Sequence, residues 1–174
     1  MDLRDALQVL SIFVLIMAWG SGPKPGRSIR NAARALSQDE AAHAILAVSA
    51  RDLRLSISPP DGMVEFAHAG FALPGVRQSC FTKWFAFAGY MPERSWQPLI
   101  LDSRVYATLN RTFAVTTHEM AGTPRRSRRY AAYVDTMHQW AQSLTQDGCA
   151  VSADRLEWIL FAHDGRLWPA VSGH

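Results

Sequence analysis

One lysine stands where a lysine is costly. Lys83 lies inside the apolar run FTKWFAFAG, with Phe81, Trp84, Phe85 and Phe87 around it, and lysine is seldom buried without a partner. Apolar surroundings solvate an ammonium poorly and draw its pKa down from about 10.4. The free amine can then attack a sugar carbon and form a Schiff base. The chain carries sixteen arginines and only two lysines, Lys24 and Lys83. Arginine stays protonated and cannot attack carbon, so a lysine here meets a need that arginine does not. The plain alternative is a stem that covers apolar surface while its head reaches water.

Asp102 follows nineteen residues later, after Leu99-Ile100-Leu101 and before a helical stretch. It reads as a helix N-cap, whose amides keep a carboxylate ionised. An ionised carboxylate beside an amine can accept its proton and then stabilise positive charge on a sugar ring. The six histidines lack a two-histidine metal spacing such as HExxH, and the two cysteines, Cys80 and Cys149, exclude a four-cysteine zinc or iron–sulfur site. No metal or cofactor is expected. Among the six tryptophans, Trp19 and Trp84 are the candidates for a site.

The elements that must position these groups read as helices. With 174 residues, 48% hydrophobic and 19% charged, the chain suits one domain with a sizeable core. Residues 5–19 form an apolar helix stopped by Gly20, Gly22, Pro23 and Pro25. Ser28 caps a helix to Leu36 bearing Arg30 and Arg34, and Ser37 with Glu40 has capping-box spacing for a helix to Val48. Ser58-Pro59-Pro60-Asp61-Gly62 breaks the chain into an N-terminal lobe, 1–57, and a larger lobe, 63–174. Further helices are expected at 63–70, 81–90, 103–110, 128–144 and 153–163, around a turn at Leu73-Pro74-Gly75-Val76. Only 112–117 alternates like a strand. The fold class is all-α. The apolar stretch 9–19 is too short for the roughly twenty residues of a membrane span, and MDLRD is no signal-peptide start. A cytoplasmic, nucleoid-associated protein without membrane contact is expected.

Around the Lys83–Asp102 pair the sequence resembles the 8-oxoguanine DNA glycosylases of the helix-hairpin-helix superfamily, as a divergent bacterial form. In that family Thr-Lys opens the second hairpin helix and supplies the nucleophile, and an aspartate one helix and a loop later completes the site. Thr82-Lys83 and Asp102 match. A second match lies far off: Glu157-Trp158-Ile159-Leu160-Phe161-Ala162 resembles the family's Gln-x-x-Leu-Phe-Ser/Ala segment. By that resemblance Phe161 stacks on an extruded base, and Glu157 replaces the amide at its Watson–Crick edge. A carboxylate accepts from two adjacent donors, which guanine and 8-oxoguanine both present. Phe87 takes the place of a residue against the other face of the base. Arg104 stands where the family has a phosphate-holding histidine. The hairpin's Leu-Pro-Gly-Val is present, but Arg77-Gln78-Ser79-Cys80-Phe81 intervenes before Thr-Lys and the second glycine is missing.

The resemblance implies a base pocket between two helical lobes and a monomer acting on double-stranded DNA with a flipped base. It implies a bifunctional N-glycosylase and abasic-site lyase for oxidised guanine in base excision repair. The net charge of +3 and the run Pro124-Arg125-Arg126-Ser127-Arg128-Arg129 suit an anionic partner, so Arg125, Arg126, Arg128 and Arg129 are candidate phosphate contacts, with Arg27, Arg30 and Arg34 a second strip. Two alternatives share the residues: a helical DNA-binding module without catalysis, and a glycosylase used against a modified phage base.

Overall fold

The structure, a computed structural model, describes residues 3–20, 27–37 and 39–166. Among them every regular element is helical: α1 (Leu3–Trp19), α2 (Arg27–Ala35), α3 (Asp39–Leu55), α4 (Met63–Gly70), α5 (Gln78–Ala88), α6 (Ser103–Thr112), α7 (Thr117–Ala121), α8 (Arg126–Gln146) and α9 (Ala153–His163), with one 3₁₀ turn at Pro59–Asp61. The all-α expectation is met. The breakers Gly22, Pro23 and Pro25, Lys24, and the side chains of Arg27 and Ser28 lie outside the described residues.

Burial explains where the boundaries differ from expectation. α3 continues past Val48 to Leu55 because Leu53 is fully buried and extends the apolar face. α5 begins three residues early, since Arg77 is extended and its carbonyl accepts from Phe81 N. Lys83 therefore sits more than a turn inside α5, and Thr82-Lys83 does not open it. α8 likewise begins at Arg126. The stretch 112–117 is no strand. Thr112 ends α6, Ala114 takes a left-handed conformation at φ 52°, and Thr116 caps α7 in a reciprocal box with Glu119. The Ser37 hydroxyl turns back to Arg34 O at 2.8 Å, closing α2.

α4 and α5 are joined by Leu73-Pro74-Gly75-Val76, closed by Val76 N to Leu73 O at 3.1 Å, with Gly75 at φ 77°. Proline then glycine at the two central positions is the chemistry of a type II turn. α1 packs on α2, α3 and α5, α3 on α4 and α5, α4 on α8, and α9 on α6 and α8. One apolar cluster runs through these contacts, from Phe13 and Leu46 to Phe85, Tyr130, Met137 and Leu160.

The segment Leu99-Ile100-Leu101 matters most for the site. It runs through the interior as irregular chain, Leu99 and Leu101 buried, yet buried backbone groups must be paired. Side chains from three helices pair them. Tyr130 Oη donates to Leu99 O at 2.7 Å, and Tyr133 Oη to Ile100 O at 3.0 Å. Ile100 N donates to Glu157 Oε2 at 2.9 Å, and Leu101 N to Thr82 Oγ1 at 3.1 Å. α5, α8 and α9 thereby hold the strap that delivers Asp102.

Candidate active site

A cavity of about 500 Å³ is lined by Trp19 and Gly20 from the end of α1, Lys83 from α5, Ile100, and Asp102, Ser103 and Arg104 at the start of α6. Glu157, Trp158 and Phe161 of α9 complete it. Four residues singled out in sequence, Lys83, Asp102, Glu157 and Phe161, thus meet around one space although 78 positions separate the first from the last.

Lys83 is partly buried, and its ammonium donates to Gly20 O at 3.3 Å. Gly20 is tightly fitted to it. A Cβ added there would lie 2.9 Å from both Lys83 Cδ and Nζ, so any other residue would oblige the end of the lysine side chain to move. Asp102 is 8% exposed and caps α6, its Oδ1 accepting from Arg104 N at 2.9 Å and Val105 N at 3.2 Å. Its second oxygen takes no hydrogen bond among the described residues. No ion pair joins Lys83 to Asp102; they face the same cavity from opposite anchors.

Glu157 is divided between two tasks. Oε2 holds the strap at Ile100 N, and the carboxyl also lines the cavity. Burial pushes its pKa up to about 7, with the Asp102 and Asp154 charges adding and the Ile100 bond and Lys83 opposing. Near neutrality it is therefore poised between an acceptor of two hydrogen bonds and a donor of one.

Phe161 is partly buried, with the Arg104 guanidinium 4.8 Å from its ring centre. Arg104 also pairs with Asp164 at 3.5 Å. Its side chain thus lies over the aromatic wall rather than extending outward. Phe87 is about half exposed, does not line the cavity, and meets Trp19 edge-on at 5.3 Å. Trp19 forms the wall and Phe87 braces it. Trp84 is core, packed on Phe13 and bonded through Nε1 to Ser49 Oγ.

The arginine run divides because successive helical residues point about 100° apart. Arg125 and Arg128 each pair with Glu65 of α4 at 3.4 Å. Arg129 donates to Thr117 Oγ1 of α7 at 2.7 and 3.0 Å. Arg126 has no ion pair among the described residues and reaches a different cavity, beside Asp102. The four do not form one strip. No three His, Cys, Asp or Glu side chains among the described residues group as metal ligands.

Sequence reading missed Gly20, Ile100, Ser103 and Trp158 as lining residues. Gly20 was legible only as a helix stop; its closeness to Lys83 depends on how α1 crosses α5. The constellation itself can do acid–base and nucleophilic chemistry on a flat ligand held against an aromatic ring. A family model described as "Putative 8-oxoguanine DNA glycosylase OGG-like protein" matches residues 2–161. The chain belongs to this OGG-like family. Comparison with curated proteins and with solved structures gives no match. Membership makes DNA glycosylase the functional class. No helix among the described residues is long and apolar enough to cross a membrane.

Proposed function

We propose that the chain is a bifunctional N-glycosylase and abasic-site lyase that removes oxidised guanine from duplex DNA, acting as a monomer with a helix-hairpin-helix type of grip. The convergence of Lys83, Asp102, Glu157 and Phe161 on one cavity carries this reading. The damaged nucleotide leaves the duplex and its base enters the cavity. The ring stacks on Phe161, whose covering guanidinium, Arg104, moves off toward a phosphate. Ionised Glu157 accepts from N1–H and the exocyclic amino group.

Asp102 receives a proton from the Lys83 ammonium once Lys83 leaves Gly20 O. The amine then attacks C1′ as the bond to the base breaks, and the base leaves with its bonding pair and takes up a proton. Asp102, ionised again, stabilises the positive sugar. Opening of the sugar gives the Schiff base on Lys83, and loss of a C2′ proton expels the 3′ phosphate. Each step uses groups of the chain and water.

A second reading, a DNA-binding module without catalysis, is favoured by one observation: Lys83 rests on Gly20 O and makes no ion pair with Asp102. Base release and nicking on a panel of damaged duplexes separates the two. The enzyme reading expects release from 8-oxoguanine duplex and none with Lys83→Gln at unchanged DNA affinity. Salt-sensitive binding without release from any damaged or phage-modified base would favour the module.

A further inference from the structure

Arg155, Trp158 and Phe161 follow one another at intervals of three in α9, so each is the next one's neighbour on the helix surface. The Arg155 guanidinium stands over the Trp158 ring, 4.5 Å from its centre. The Arg104 guanidinium, from α6, stands over the Phe161 ring at 4.8 Å. The strip therefore reads cation, indole, phenyl, cation. Both rings line the active cavity, and Arg155 has no ion pair among the described residues.

Phe161 is partly enclosed, whereas Trp158 is 53% exposed. A lone exposed ring needs no explanation. This one adjoins the proposed stacking ring, and Trp19, also exposed, lines the same cavity. Aromatic faces interleaved with guanidiniums suit single-stranded nucleic acid, because every base has a π-face and every nucleotide a phosphate. Rings three residues apart on a helix stand about 5–6 Å apart at Cβ, within reach of two consecutive nucleotides. In a duplex the neighbour of an extruded nucleotide stays paired and stacked. In a single strand its face is free to meet a ring.

We propose that Trp158, with Arg155, is a platform for the unpaired base next to the nucleotide in the cavity, and that single-stranded DNA is thereby a substrate of the same site. The proposal rests on the glycosylase reading, since it takes Phe161 as the seat of the damaged base. The neighbouring base stacks on the exposed surface of the indole. Arg155 covers the ring elsewhere and pairs with the phosphate of that neighbour.

The test is fluorescence anisotropy with a labelled single strand that carries a tetrahydrofuran abasic analogue, which resists cleavage, and with the matching duplex. Trp158→Ala should weaken the single strand about tenfold and the duplex by a smaller factor. Trp158→Phe, which keeps a ring, should recover most of the loss. Phe66→Ala, which removes an exposed ring of α4 that does not line the cavity, should change neither. Replacing both nucleotides beside the analogue by further analogues removes their bases and keeps the phosphates. That should cost the wild type about tenfold at an unchanged salt slope, and cost Trp158→Ala nothing further. Wild type should also release 8-oxoguanine from a single strand. Equal losses on single strand and duplex, a neighbouring-base penalty that persists in Trp158→Ala, or release from duplex alone would overturn the proposal. Borohydride trapping on 8-oxoguanine duplex keeps the two failures apart. Trapping without ring–base coupling removes the platform and leaves the enzyme; coupling without trapping on either form of DNA removes the enzyme.

Discussion

Gly20 and Lys83 define the tightest fit in the site. Gly20→Ala would drive a methyl group against the lysine stem and ammonium, so single-turnover base release should fall at least tenfold while the circular dichroism spectrum stays unchanged. Equal rates would mean that the ammonium position seen here is unimportant. Glu157 gives a prediction with a sign. Its folded pKa, near 7, lies above the ordinary carboxyl value of 4.5. The folded state therefore holds its proton more firmly, and that contribution to stability is lost as pH rises from about 4.5 through 7. Glutamine can still accept from Ile100 N without a buried charge. Glu157→Gln should thus melt several degrees above wild type at pH 8 and match it near pH 5, at about 2–4 °C per kcal/mol. Its base preference should change at the same time, since an amide offers one acceptor and one donor group where the carboxylate offers two acceptors. A stability gain independent of pH would contradict the burial argument.

At the scale of elements, the strap Leu99–Leu101 shows what the sequence made legible and what it did not. Most helices, though not α7, could be read from apolar spacing and cap signals, and Asp102 as the cap of α6 from its place after an apolar run. The pairing of the strap could not. Thr82, Tyr130, Tyr133 and Glu157 are separated from it by 19 to 57 positions, and their types alone fit ordinary core or surface. The same limit placed Phe87 at the pocket wall: four residues after Lys83, it shares that helix face, but the path of α1 puts Trp19 in between. The early start of α5 was hidden because Gln78-Ser79-Cys80 carries no cap signal. Tyr133→Phe leaves Ile100 O buried without a donor, so it should cost about 1–3 kcal/mol in urea unfolding and slow catalysis by displacing Asp102. A loss of stability with undiminished activity would show that the strap does not position the carboxylate.

Across the whole molecule, a net charge of +3 is modest, and much of the arginine is already engaged: Arg94 in backbone carbonyls around Gly89 and Trp96, Arg125 and Arg128 with Glu65, Arg129 with Thr117. The exposed pairs of Arg125 and Arg128 with Glu65 contribute little to stability. The fold brings the end of α1, the middle of α5, the start of α6 and one face of α9 to a single space, and family membership over residues 2–161 supports the chemistry proposed for it. The most direct test is borohydride reduction during reaction with 8-oxoguanine duplex, followed by peptide mapping of the trapped protein. The account predicts one covalent DNA adduct, located on Lys83 and absent in Lys83→Gln. An adduct on another residue, or base release by wild type with no adduct and full rate in Lys83→Gln, would contradict it.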